Sequence, residues 1–203
     1  QSLGLHGLPV LGSSPDVIDL ASDRGRFEEV TERHGLPQPP GGMASDVATA
    51  LQIANNVGYP VLVRPSYVLG GRAMEIVQTP AELIRYFDSA RPEFPNQTIL
   101  VDHYLLGLEV EVDAVCDGED ILIPGIMQHI ERAGVHSGDS MAVYPAQSLT
   151  DAEIESIVDY TRRIGLALGV VGLMNIQFVV AGAGAYRGFT ERSVSGKDDD
   201  PEI

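Results

Sequence analysis

Apolar and polar positions alternate with a period of two over residues 109 to 116. Glu109, Glu111 and Asp113 fall on one face, and Val110, Val112, Ala114 and Cys116 on the other. That period is the mark of a half-buried strand. A second such run covers 173 to 180, with Met174, Ile176, Phe178 and Val180 on one face and Asn175 and Gln177 on the other. Shorter strands are predicted at Pro60 to Val63, Ala73 to Val77, Ile99 to Asp102 and Ile121 to Ile126, the last entered through an Asp117-Gly118 turn. Helical spacing takes over elsewhere. One short helix starts at Asp23, carries Phe27 and Val30, and ends at His34-Gly35; another is capped by Ser45 and runs through Ala48, Leu51, Ile53 and Ala54 to Gly58. Thr79 caps a third, with Pro80 in its first turn and Leu83, Ile84 and Phe87 on one side. Thr150-Asp151-Ala152-Glu153 is a capping box, opening a helix that keeps Ile154, Ile157, Tyr160 and Ile164 on one stripe until Gly169 stops it. Pro37 to Gly42 reads as a linker. Strands joined this tightly pair antiparallel, so the pattern predicts an α+β protein with a largely antiparallel sheet.

With 203 residues, 44% of them apolar, the chain is long enough for one sizeable core or for two small lobes sharing a cleft. Its formal net charge of −16 repels nucleic acid and anionic membrane, which argues against both as partners. A nucleotide would have to be met by local arginines and a metal. Cys116 is the only cysteine, which excludes an internal disulfide and a cysteine-based zinc cluster and agrees with a cytoplasmic location. No apolar run approaches the roughly 18 residues of a membrane span. The chain begins at Gln1, and Gly-Leu-Pro-Val-Leu-Gly-Ser-Ser-Pro (7 to 15) reads as a strand and turn leaving an earlier domain, so a piece of a longer protein is expected.

Four segments are candidates for chemistry. Between the strands at 60 and 73, Gly70 and Gly71 stand between Arg64 and Arg72 with no room for a helix. Glycines lacking a Cβ can turn their amides toward an anion while the guanidinium groups grip it, so this is a phosphate-holding flap or an ordinary hairpin with a Gly-Gly turn. The acidic face of Glu109, Glu111 and Asp113 is a solvated surface, or it lends one carboxylate to accept both hydroxyls of a ribose diol. Ala133 to Ser140 sets His136 and Ser137 among small residues, either as turn chemistry or as a loop that closes on substrate. His103 at a strand end carries the same ambiguity. Gln177 can give a carbonyl oxygen to a hard divalent ion, a site that would need an acidic companion.

Taken in order, Arg-Pro-Ser-Tyr-Val-Leu-Gly-Gly-Arg-Ala-Met (64 to 74), Glu-Val-Glu-Val-Asp-Ala-Val-Cys-Asp-Gly (109 to 118), Gly-Val-His-Ser-Gly-Asp-Ser (134 to 140) and Gly-Leu-Met-Asn-Ile-Gln-Phe (172 to 178) resemble the large chain of carbamoyl-phosphate synthase. The likeness runs from about residue 8 to about residue 180 and is greatest to the second of its two ATP-grasp units, which phosphorylates carbamate. The resemblance implies two α+β lobes with the nucleotide between them. Residues 1–20 would be the tail end of a preceding domain, 21–93 the small lobe with its flap, 94–180 an incomplete large lobe and 181–203 a divergent tail. It further implies that Arg72, helped by Arg64, Gly70 and Gly71, contacts the ATP phosphates. His103, Leu105 and Glu109 would line the adenosine pocket, with Glu109 on the ribose. Gly134, Val135, His136 and Ser137 would form the loop on the other side of the nucleotide, and Gln177 would meet ATP and a Mg²⁺ or Mn²⁺ ion. Arg72 and His136 are the candidate catalytic residues. A glutaminase small chain would be the partner of the parent enzyme, which supplies arginine and pyrimidine synthesis.

One departure stands out. The family follows its Gln strand with Glu-Val-Asn-Pro-Arg, whose Glu and Asn hold metals, and this chain has no such segment. Divergence, an early end and a different reading frame each account for the difference. Glu191 is the nearest carboxylate but lacks the family's context. The alternative to a working enzyme is therefore a nucleotide-binding module impaired in catalysis.

Overall fold

The computed structural model describes residues 11–66, 73–90, 92–93, 97–132 and 140–182. The chain divides into two compact units. One takes Gln38–Leu105 with Gly134–Ser140, and the other takes Gln1–Pro37, Leu106–Ala133 and Met141–Ile203.

The first unit is a four-stranded antiparallel sheet in the order β1-β4-β2-β3, with β1 at Gly41–Ala44, β2 at Val61–Pro65, β3 at Glu75–Val77 and β4 at Ile99–His103. Two helices, α3 at Val47–Val57 and α4 at Pro80–Ala90, belong to it. Register places Gly42, Val101 and Val63 in one row, and Gly42 faces the Ile53 side chain of α3, so this is the helix-covered face. Its core is Ala44, Val61, Val63, Val77 and Val101 against Ala50, Ala54, Leu83 and Phe87. Gly41 and Gly42, read from sequence as linker, are instead the start of β1. A Cβ at Gly41 would collide with Asp102 and the Val101 carbonyl, so a residue that looks like a linker glycine permits strand pairing here. The cap of α3 is Asp46 rather than Ser45, because the Asp46 carboxylate accepts the Thr49 N–H at 2.9 Å and its hydroxyl at 3.0 Å. Thr79 caps α4 as expected, receiving the Glu82 N–H.

The second unit holds a five-stranded antiparallel sheet. Strand β5 (Gly107–Asp117) pairs β6 (Ile121–Leu122) and β7 (Ile126–Arg132), β7 pairs β8 (Ala142–Val143), and β9 (Val171–Ala181) pairs β5 along its full length. The predicted strand Ile121 to Ile126 is thus two strands. Pro124 cannot donate to a ladder, and the Tyr144 ring occupies the space beside Gly125 while its hydroxyl donates to the Pro124 carbonyl. Helix α5 (Asp151–Leu168) lays Ile157, Ile164 and Leu168 on the apolar face, and Val110, Val112, Ile126, Phe178 and Val180 surround Ile157. Ile154, assigned by its spacing to the same stripe, is exposed because it sits on the first turn, at the edge of the sheet's cover. The Thr150–Glu153 capping box is formed, and Gly169 ends α5 at φ +70°, which a side chain would strain.

Helices α1 (Pro15–Ser22), which the sequence pattern did not announce, and α2 (Arg24–Arg33), capped by Asp23, add Val17, Leu20, Phe27 and Val30 to the Cys116–Ile164–Leu168 cluster. Arg163 of α5 pairs with Asp159, lies over the Tyr160 ring and donates to the His34 carbonyl at the end of α2. Among the described residues no helix is long and apolar enough to cross a membrane.

Candidate functional site

The polar face of β5 grades from exposed to buried along the strand. Asp113 is exposed, Glu111 is half-buried, and Glu109 is only 8% exposed. A uniformly solvated face would show no such gradient, and a buried carboxylate must have donors nearby. Register sets Asn175 of β9 across from Asp113 and Gln177 across from Glu111. The Asn175 amide donates to Glu111 Oε1 at 2.6 Å and to Asp113 Oδ1 at 2.8 Å, so this side chain bridges two acids while remaining solvent-exposed.

The third strand contributes His129, which is 3% exposed. Its Nε2 lies 3.0 Å from Glu111 Oε2, and its Nδ1 lies 3.8 Å from Glu109 Oε1. A carboxylate only accepts, so Nε2 carries the hydrogen of the first contact. Both oxygens of Glu111 are therefore engaged, one by Asn175 and one by His129, while Glu109 meets the other side of the same ring. The placement of His129 follows from the pairing of β5 with β7. Val112–Ile126, Glu111–Met127 and Val110–Gln128 are in regular register, but Leu108 then pairs with Arg132, so β7 carries two more residues than β5 over this stretch. His129 is the first residue past the last regular pair, and strand alternation sets it on the same face as Met127, the partner of Glu111. On the other face Gln128 is held separately, accepting the N–H groups of Gln147 and Ser148 at 2.9 Å each.

His129 was not among the residues singled out from sequence. The available signal was a lone imidazole shortly before the Ala133–Ser140 segment, but the pairing of β7 with β5 that sets it beside Glu111 cannot be read from spacing.

Of the residues predicted for a site, Glu109 and Gln177 share the polar face of the second unit, two residues apart in register. Arg64, His103 and Leu105 belong to the first unit. There Arg64 pairs with Leu100 on the face opposite Val63, whereas His103 pairs with Val61 on the helix-covered face, so the two are not brought together within their own sheet. The His103 ring lies 3.2 Å from the Gly58 carbonyl through Nδ1, and Leu105 is half-buried in the segment after β4. Gly70, Gly71, Arg72, Gly134, Val135, His136, Ser137 and Glu191 lie outside the described residues. The approaches to the glycine pair are nonetheless anchored on both sides. Ser66 donates through its N–H and its hydroxyl to the Thr98 carbonyl, and the buried Tyr86 hydroxyl donates to the Ala73 carbonyl at 2.7 Å. Ala73 itself adopts φ +58°, a strained conformation of the kind that gathers at ligand-gripping loops.

Among the described residues no group of three or more His, Cys, Asp or Glu side chains is arranged to hold a metal ion. Gln177 offers one neutral oxygen, and Glu111 beside it has both oxygens committed, so the described donors alone do not compose a divalent-cation site.

Comparison with known proteins gives the family and the fold. The family described as "Carbamoyl-phosphate synthase L chain, ATP binding domain" matches residues 23–189. Among solved structures, the biotin carboxylase domain of Hydrogenobacter thermophilus 2-oxoglutarate carboxylase superposes with a TM-score of 0.75 at 24% identity, covering 89% of this chain and 41% of that one. Biotin carboxylase from Campylobacter jejuni gives 0.76 at 23% identity over 89% of this chain and 42% of its own. D-alanyl-alanine synthetase A from Vibrio cholerae gives 0.74 at 18% identity over 88% and 57%. This chain thus spans about two fifths of each carboxylase chain. The shared fold is the α+β ATP-grasp fold, with antiparallel sheets as expected from the sequence.

Proposed function

Because this chain belongs to the family of carbamoyl-phosphate synthase L chain ATP-binding domains, whose members serve an ATP-dependent ligase, we propose that it binds ATP and phosphorylates carbamate as the second ATP-grasp unit of such an enzyme. In that reaction a carbamate oxygen attacks the γ-phosphorus, the bond to the β,γ-bridging oxygen breaks, and carbamoyl phosphate and ADP leave. Such a transfer depends chiefly on holding the phosphoryl oxygens and the acceptor in line.

The observation that carries the reading is Glu109. It is the buried carboxylate of the polar face, and the resemblance implies that this residue takes the ribose. The neighbouring Glu111 is tied on both oxygens and suits a supporting role. In the proposed site His103 and Leu105 line the adenosine, Arg64, Gly70, Gly71 and Arg72 hold phosphates, and Gly134 to Ser137 close on the nucleotide. Arg72 and His136 act on the group in transit, and Gln177 gives one oxygen to Mg²⁺ or Mn²⁺. Residues 21–93 would be the small lobe and 94–180 the large one. The Hydrogenobacter carboxylase domain was solved with MgADP, ADP and bicarbonate, which supports ATP with Mg²⁺ as the ligand pair. A glutaminase small chain, service in arginine and pyrimidine synthesis and a cytoplasmic location complete the proposal.

A second reading is favoured by one observation: the sequence has no Glu-Val-Asn-Pro-Arg segment to complete the metal site. On that reading the chain binds nucleotide without turnover. Incubation with ADP, carbamoyl phosphate and MgCl₂ separates the two. Metal-dependent ATP formation supports the enzyme, and retained ADP binding with no ATP formed supports the binding module. Failure to bind ADP at all would sink both.

A further inference from the structure

Helix α4 buries Leu83, Tyr86, Phe87 and Ala90, and of these only Tyr86 carries a polar side-chain group. It is 4% exposed, and the Phe87 ring meets its ring edge-on with 6.3 Å between centroids. A phenylalanine would pack as well in that setting, so the hydroxyl answers to something other than the core. It donates at 2.7 Å to the carbonyl of Ala73, just ahead of β3. Burial, and then the Glu75 charge, push the phenol up, so the group stays a donor.

Ala73 is the one described residue other than glycine with a positive φ, at +58°. A side chain enters that region at a cost, and such a conformation persists only where its surroundings impose it. The Tyr86 hydroxyl reaches this residue's own carbonyl from the rigid frame of a helix. At the other end of the segment, Ser66 leaves β2 and donates to the Thr98 carbonyl through its N–H at 2.9 Å and its hydroxyl at 2.6 Å. Between these two anchors the sequence runs from Tyr67 to Arg72 and contains the glycine pair. The anchors differ in kind. Ser66 continues a strand, whereas Ala73 is held in a conformation that a free chain would leave.

We propose that Tyr86 is a positioning residue for nucleotide binding: its hydroxyl keeps Ala73 left-handed and so sets the direction of the chain next to Arg72. This role rests on the nucleotide reading and deepens it. Support of this kind raises affinity by cutting the cost of ordering a segment when ligand arrives. A tyrosine serving only the core would, on losing its hydroxyl, change stability and leave affinity per folded molecule where it was.

The test is the dissociation constant for ADP with MgCl₂, measured by calorimetric titration on the full 203-residue chain, with urea unfolding followed in parallel. Tyr86→Phe keeps the ring and should weaken ADP binding about three- to tenfold, the scale of one neutral hydrogen bond. Ala73→Gly added to Tyr86→Phe should return the affinity to within about twofold of the unaltered chain, because glycine adopts a positive φ without help. Ala73→Val, with Tyr86 intact, should weaken ADP at least as much as Tyr86→Phe does, since a β-branched residue is poorly tolerated at that φ. If Tyr86→Phe does not fold, Ala73→Val carries the test with the same loss expected. A folded Tyr86→Phe or Ala73→Val chain that binds ADP within about twofold of the unaltered chain overturns the role of Tyr86 while the nucleotide reading stands. A loss in Tyr86→Phe that Ala73→Gly fails to recover overturns it equally. No ADP binding by the unaltered chain overturns the nucleotide reading, and this role with it.

Discussion

The two faces of β5 and β9 share one backbone and one register, yet they are built to opposite rules. Toward α5, Val110, Val112, Phe178 and Val180 enclose Ile157 without a charged group among them. On the reverse face the same two strands set out Glu109, Glu111, Asp113, Asn175 and Gln177, and β7 adds His129. A strand that turns successive side chains to opposite sides can thus assign folding to one set of residues and recognition to the interleaved set. Substitutions one position apart should therefore fail in different assays.

The largest effect is expected on the apolar side. Ile157→Ala removes a fully buried side chain at the centre of its cluster and should cost about 2–5 kcal/mol in urea unfolding, with nucleotide affinity per folded molecule unchanged. An equal loss of affinity in folded protein would show that the faces are not separable. Next comes Arg72→Ala, a test of the flap independent of either face. It should weaken ADP binding by about 1.5–3 kcal/mol if the guanidinium grips phosphate, without moving the unfolding midpoint. Thr150→Ala should cost about 1 kcal/mol by removing the cap of α5, the helix that seals the apolar face.

Two smaller effects sharpen the contrast. Cys116 ends the apolar row, and its thiol is pushed up by burial and by the Asp117 charge, so it should resist iodoacetamide in the folded protein and react on unfolding. Fast labelling of the folded chain would mean that this edge of the core is open. Asp117, next in line, is held below the ordinary carboxylate range by the N–H groups of Asp120 and Glu119. A depressed folded value means that its contribution is present above the unfolded pKa of about 3.9 and is lost as pH falls through the lower folded value. Asp117→Asn should flatten the acid side of the unfolding profile slightly, and an unchanged profile would remove the turn as its source.

Much of this organisation is legible in the sequence, because alternation and capping are local. The faces of β5 and β9, the Thr150 box and the Gly169 stop follow from neighbouring residues alone. What escapes is decided by distant partners. Gly41 and Gly42 read as linker because only the approach of the distant β4 shows that they are paired and that a side chain at Gly41 would meet Asp102 and Val101. Ser45 and Asp46 are both good caps in isolation, and the helix start is chosen by which one reaches Thr49. For the site, Glu109 and Gln177 were visible as polar positions on apolar strands. The gradient of burial and the contacts of His129 were not, since both depend on which strands flank β5.

The claim that the polar face is the nucleotide face is tested most directly by following the backbone amide resonances of β5 and β9 while ADP and MgCl₂ are added. Saturable shifts greatest at Glu109 to Asp113 and Asn175 to Gln177, and abolished by Glu109→Ala in a chain that still unfolds cooperatively, are the predicted result. Saturable shifts confined to other parts of the chain, or none at millimolar ADP, would contradict it.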